Sequence, residues 1–280
     1  MMKYLIPTTV LLLMLSIGMS LSLRQLVDNW RKLTPSLWIR LLLATFIIPP
    51  VLALGMGWAF SLGTAATAGL FLVGVAPGAP LMTRGVAKKG FDMHVAASYQ
   101  VWGALLTPVM IPLLVAAGAW CYGRVIWVPP GKLLLLIARQ QFLPLVAGMV
   151  LMRLAPAFSN RARPLLNLAG NLGLCVALVA ILFKLGPALM QMSPLVGVAA
   201  LLLAAGCLFA VRLLLGGNSP MVQALSISNA NRHVGIALLL SGQSIRDQRP
   251  VPAIVAYALA AMLVMTLYAR FVRRKVVEIP

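Results

Sequence analysis

Acidic side chains are nearly missing. The 280 residues include 4 Asp and Glu against 23 Lys and Arg, and only 10% of the chain is charged. Soluble globular domains carry about 25% charged residues, so that class is excluded. A hydrophobic share of 61% excludes disorder. Histidine is scarce too, with His94 and His233 alone, and Cys121, Cys175 and Cys207 lie far apart. No metal-ligand spacing or disulfide framework results, and these cysteines read as small core residues. The chain offers no carboxylate pair within an apolar run, no recognisable Ser/His dyad and no P-loop, so neither an enzyme nor a cofactor is expected. A net charge of +19 would suggest nucleic acid in a soluble protein. Here the basic residues form short clusters between apolar runs, which is the pattern of topology signals, and no nucleic-acid partner is expected.

What is present is apolar runs. They lie near residues 4–23, 37–58, 64–82, 93–120, 132–152, 164–184, 194–215, 221–242 and 251–272. Each approaches the ~20 residues that a membrane-crossing helix needs. The expectation is an all-α polytopic membrane protein of nine transmembrane helices, one membrane domain over 1–280, with the lipid bilayer as partner. The first run also has features of a secretory signal, with Lys3 in front and Ser20 and Ser22 behind. Its length and the runs after it favour a retained helix. If the chain alternates across nine spans, fifteen basic residues fall on one side, among them Lys88, Lys89, Arg161, Arg163, Arg273 and Arg274. Six fall on the other. The expected placement is the inner (plasma) membrane, N-terminus outside and C-terminus cytoplasmic.

Two runs are interrupted. The third carries Ala76-Pro77-Gly78-Ala79-Pro80 before Met82-Thr83-Arg84, and the eighth carries Ser226 to His233 before Gly235-Ile236-Ala237. Proline breaks the helical ladder. Irregular backbone at membrane depth is tolerated only where protein or a water-filled cavity surrounds it. Paired interruptions in two halves point to a secondary transporter built from inverted repeats, with two broken helices that cross. The fifth run is plain apart from Arg139-Gln140-Gln141. Arg232 stands out: a guanidinium about a dozen residues into its span, with no acid in that span. It calls for either a bound anion or helix-end carbonyls. His233 is read as a proton-coupling group or a neutral core histidine, and Asn229 and Asn231 as site-lining residues or helix caps.

At the interrupted runs the chain resembles the bile acid:sodium symporter family. The likeness is carried by Leu13-Met14-Leu15-Ser16-Ile17-Gly18-Met19-Ser20-Leu21-Ser22, by Ala76-Pro77-Gly78-Ala79, by Leu106-Thr107-Pro108-Val109-Met110-Ile111-Pro112-Leu113, and by the run from Asn231 to Leu240. The resemblance implies a core moving against a panel. The core is placed around 64–120 and 194–242, and the panel around 1–58, 132–152 and 251–272. Where that family has a Ser-Asn pair after the Pro-Gly, this chain has Met82-Thr83. Where it has a Glu followed by Gln-Asn, this chain has Ser228 followed by Arg232-His233.

A fixed positive charge opposes sodium by about 4 kcal/mol at ~4 Å with an effective dielectric of ~20. The expectation is therefore alternating-access transport of a small organic anion without the usual sodium sites. Arg232, His233, Asn229, Asn231, Pro77, Gly78 and Ala79 are the candidate substrate residues. A sodium-coupled organic-anion symporter is the first alternative, with ion ligands rebuilt from Thr83, Ser228, Asn229 and main-chain carbonyls. A non-transporting membrane sensor on the same fold is the second.

Overall fold

A computed structural model describes residues 2–20, 34–78, 93–122, 129–244 and 250–277. The described residues are helical, with no strand among them. Helix α1 is Met2–Gly18, α2 Pro35–Leu42, α3 Ile48–Ala59, α4 Thr64–Val75, α5 Met93–Tyr122 and α6 Pro130–Ile137. Helix α7 is Leu143–Leu154, α8 Pro156–Met190, α9 Pro194–Leu215, α10 Pro220–Ala230, α11 Val234–Ser244 and α12 Val251–Val277. A π-helical segment, Leu43–Ile47, joins α2 to α3, and a second, Ala138–Phe142, joins α6 to α7.

Among the described residues, six stretches are long and apolar enough to cross a membrane: Pro35–Ala59, Trp102–Cys121, Gly131–Leu154, Pro156–Ala180, Pro194–Leu215 and Val251–Phe271. Tyr4–Gly18 and Thr64–Val75 are shorter apolar helices. The eighth apolar run is split into α10 and α11 by Asn231–His233. Among the described residues there are thus six helices of membrane-crossing length, fewer than the nine expected, with the remaining runs described as shorter or split helices. Apolar side chains left exposed, such as Leu165, Phe183, Leu213 and Met262, suit a lipid-facing surface.

Both π segments have a proline cause. The Ile48 N–H bonds to the Leu43 carbonyl, five residues back, and Pro49 and Pro50 follow without N–H groups. The carbonyls of Ala44 and Thr45 are thereby left with no main-chain donor. At the second segment the Leu143 N–H bonds to Ala138 and Pro144 follows. One proline in place of two frees one carbonyl, that of Arg139.

Packing groups the helices. Helix α1 lies against α7 and α8. There a Cβ on Gly148 would sit 2.9 Å from the Gly18 Cα, and one on Gly170 would sit 2.6 Å from Leu13 Cγ, so glycine is what lets these helices approach. Helices α3, α4, α9, α10 and α12 pack with one another around a core that includes Phe71, Leu203, Cys207, Ile254 and Tyr257. The sequence reading set 1–58 and 251–272 together as panel. In the packing, α3 and α12 lie against α4 and α9 instead. The cause is polar as well as apolar: the main-chain carbonyls of Ala44 and Thr45 and the Tyr257 hydroxyl all bond to residues at the second break.

Candidate functional site

The site forms where two helices stop. Helix α4 ends at Val75 because Pro77 cannot supply an N–H to the Val73 carbonyl, and Ala76–Gly78 continue as non-helical chain with Gly78 at φ +57°. Helix α10 ends at Ala230, and Arg232 and Val234 make tight one-residue turns back to Ala230 and Arg232 before α11 begins. The breaks touch: the His233 N–H donates to the Ala76 carbonyl at 3.0 Å. Each backbone interruption supplies a partner that the other needs.

Arg232 is the largest fully buried side chain, 1% exposed. Its Nε donates to the Val73 carbonyl at 3.4 Å, and Nη1 to Asn229 Oδ1 at 3.0 Å. Its Nη2 donates to the Thr45 carbonyl at 2.8 Å and to the Gly74 carbonyl. Four of the five N–H donors of a guanidinium are thus bound to the protein's own oxygens. Each main-chain acceptor traces to the sequence. Thr45 is freed by Pro49 and Pro50 and Gly74 by the end of its helix, while Val73, which lacks a fourth-residue donor because of Pro77, also accepts the Ala76 N–H at 3.1 Å. No carboxylate side chain lies among the described residues, because Asp28, Asp92, Asp247 and Glu278 all fall outside them. Helix ends contribute negative charge here. The C-termini of α4 and α10 meet here, and two such ends present about one negative charge together.

Asn229 is the hub of this arrangement. Its Nδ2 donates to the carbonyls of Ala44 at 3.0 Å and Cys207 at 2.7 Å. Its Oδ1 accepts from Arg232 and from the Tyr99 hydroxyl at 2.8 Å. Every hydrogen-bonding position of that carboxamide is filled. The Tyr257 hydroxyl donates to the Ala230 carbonyl at 2.8 Å, closing the end of α10. Tyr99 and Tyr257 were not singled out from sequence. A tyrosine deep in a predicted span is the signal that could have found them, since its hydroxyl needs a partner there.

The remaining candidates divide. His233 is buried; its Nδ1 accepts from the Ile236 N–H at 3.2 Å, so Nε2 carries the ring proton, and Nε2 has no hydrogen-bond partner. Ser228 is buried with its Oγ likewise unpartnered. Asn231 is half-buried at the turn, while Pro77 and Gly78 are buried beside the second break. Ala79 and Thr83 lie outside the described residues. The donor fork expected to face an anion is turned onto carbonyls, which leaves a ligand the charge of Arg232 rather than its N–H groups. Among the described residues no group of three or more His, Cys, Asp or Glu is placed to hold a metal ion.

A second polar feature lies between the helix groups. A small recess with a cavity volume of about 10 Å³, room for one water, is lined by Val10 of α1, Leu136, Ile137, Gln140 and Gln141 of the fifth span, and Ile236, Leu239 and Leu240 of α11. The Oε1 atoms of Gln140 and Gln141 are buried with no hydrogen-bond partner.

Comparison with known proteins agrees with this architecture. The model of the sodium bile acid symporter family matches residues 7–192, which run from α1 to the end of α8 and include the first break and both π segments. The chain is 28% identical over 181 residues to a protein of Bacillus subtilis (strain 168) named as an uncharacterized sodium-dependent transporter, YocS. That alignment covers 61% of this chain and 54% of the relative, so little more than half of the relative's length is spanned. With well over half of its residues inside the family match and several apolar helices of membrane-crossing length, this multi-pass membrane chain belongs to the sodium bile acid symporter family.

Proposed function

We propose that the protein is a secondary transporter of a small organic anion in which the Arg232 guanidinium takes the place of a coupling cation at the crossing of the two breaks. One observation carries this reading: four oxygens, three of them main-chain carbonyls, surround a permanent positive charge that the chain itself supplies. Such an oxygen set suits a hard monovalent cation, and a guanidinium that already fills it leaves that position closed to one. The anion's acidic group rests by the breaks. There the charge of Arg232, the Nε2–H of His233, the Asn231 carboxamide and the non-helical chain at Pro77 and Gly78 are its partners. Asn229 holds Arg232 in place. Alternating access moves the group of α1, α7 and α8 against the group of α3, α4, α9, α10 and α12, with the two halves as inverted repeats. The orientation is N-terminus outside in the plasma membrane.

A second reading is sodium-coupled symport, which the name of the Bacillus subtilis relative favours. Thr83, Ser228 and main-chain carbonyls would then supply the ligands. Uptake of labelled cholate into proteoliposomes, with sodium replaced by choline, separates the readings. Uptake that persists in choline is expected. Uptake that vanishes in choline overturns the built-in cation, and binding without uptake indicates a sensor.

A further inference from the structure

Two further guanidiniums meet at one end of α9, and they are used differently from that of Arg232. Arg40, near the start of the span Pro35–Ala59, donates from Nη1 to the Leu214 carbonyl at 3.3 Å. Arg212, in the last turn of α9, donates from Nη1 to the Tyr268 hydroxyl at 3.3 Å. These bonds bring the start of α2 and the ends of α9 and α12 together at one edge of the bundle. Arg40 is exposed and Arg212 half-buried. A guanidinium has five N–H donors. Among the described residues each of these two gives the protein a single bond, so most of each donor fork is left for another partner. That partner is not a carboxylate of the described protein, since none lies there.

The surface leading away from this edge is apolar. Leu202, Phe209 and Leu213 are exposed along one face of α9, and Leu43 and Leu267 are exposed on the flanking segments. From Leu202 to Leu213 the helix rises about 16 Å, close to half of a ~30 Å hydrocarbon core and so to the depth of one leaflet. Arg40 and Arg212 lie near the ends of their spans, at the level where headgroups sit.

The geometry points to this edge as a site for an anionic diacyl phospholipid: Arg40 and Arg212 hold its phosphate, and its chains lie on α9 over Leu202, Phe209 and Leu213. Guanidinium forks match phosphate oxygens. A zwitterionic lipid brings its own cation to the phosphate and gains little from two more. A soluble phosphate has nothing to lay on the apolar stripe. The helices that the lipid bridges, α9 and α12, belong to the group that carries the Arg232 crossing, so its binding braces that group. The site stands apart from the crossing and does not depend on what is transported.

Delipidated protein in detergent is titrated with dioleoyl phosphatidylglycerol or dioleoyl phosphatidylcholine, and bound lipid is counted by native mass spectrometry. The wild type is expected to bind phosphatidylglycerol about thirtyfold more tightly, the order of two basic side chains at an anionic membrane surface. Arg40→Gln with Arg212→Gln is expected to bring the preference to within about twofold, and the double lysine variant to keep most of it. Arg40→Gln alone, at the exposed position, is expected to lose about fivefold and provides a variant that keeps the Arg212–Tyr268 bond. Arg153→Gln removes an equal charge at the end of α7, away from the site, and is expected to leave the preference unchanged. Glycerol 1-phosphate, a phosphate without chains, is expected not to displace the lipid. Equal binding of the two lipids by the wild type overturns the inference, as does a full preference in either glutamine variant. A loss in Arg153→Gln as large as that in Arg40→Gln shows diffuse attraction and also overturns it. Displacement by glycerol 1-phosphate makes this a soluble-phosphate site and overturns the lipid assignment.

Discussion

The two π segments are built alike and end differently. In Leu43–Ile47 a shifted hydrogen bond and two prolines strip the donors from Ala44 and Thr45, and the protein answers with Asn229 on the first carbonyl and Arg232 on the second. In Ala138–Phe142 the same shift and a single proline open the helix, yet the neighbouring carboxamides of Gln140 and Gln141 keep bare oxygens. One segment is closed by side chains that arrive from far along the chain. The other faces a small recess. The difference teaches that a helix defect has no fixed meaning: its meaning lies in whether the protein itself satisfies the polar groups that the defect exposes.

Substitutions at four positions break or sharpen that contrast. The largest effect is expected at Arg232. Arg232→Ala strips the shared donor from four neutral oxygens, with an expected loss of about 1–3 kcal/mol for each one left bare, several kcal/mol together. Thermal unfolding in detergent measures it. Arg232→Lys is expected to recover part of the loss, and added guanidinium ion to raise the unfolding temperature of the alanine protein but not of the wild type. An alanine variant as stable as the wild type would remove the contrast altogether. Asn229→Leu comes next, with about 1–3 kcal/mol for each group left bare, the Ala44 carbonyl and an Arg232 Nη1–H, and a net cost below that of Arg232→Ala. Urea unfolding is the measurement. Tyr257→Phe removes a single donor from Ala230, and about 1 kcal/mol is expected by the same assay. Gln141→Met is expected to have the smallest effect and the opposite sign: up to about 1 kcal/mol of added stability, since an unpartnered oxygen is exchanged for a thioether of similar length. A loss of several degrees on that change would place the second segment in the same class as the first.

The outline of the fold was legible from composition and spacing. The apolar runs, Pro77 and the polar stretch from Ser226 to His233 marked the described helices and the two places where helices stop, and those places do meet. The identity of Arg232 as a buried charge was legible as well, because its span contains no acid. Its partners were not. Four oxygens surround it, and three of them are main-chain carbonyls of Thr45, Val73 and Gly74, which carry no signature in side-chain identity. Pro49 and Pro50 did carry a hint, since paired prolines inside an apolar run must free carbonyls, but nothing local says which distant residue collects them. The packing brings helices together differently from the sequence reading for the same reason. Residues 37–58 and 251–272 look like plain spans, and the bonds that draw them to the crossing, through Thr45 and Tyr257, are long-range. The run Arg139-Gln140-Gln141 was visible as an interruption, while its π geometry, a matter of one shifted hydrogen bond, was not.

The long reach of the Arg232 contacts bears on how the chain enters the bilayer during synthesis. The carbonyls that receive the guanidinium precede it by 158 to 187 residues. Placing an arginine at the centre of an isolated inserting helix costs about 2.5–3.5 kcal/mol on the scale of translocon-mediated insertion. A ribosome delivers the chain N-terminus first, so the segments bearing Thr45, Val73 and Gly74 are already laterally released when α10 emerges. The arginine arrives last, and its receptor is waiting. Had the charge been in the early half and the carbonyls in the late half, the nascent protein would carry an unpaired guanidinium in lipid for most of its translation.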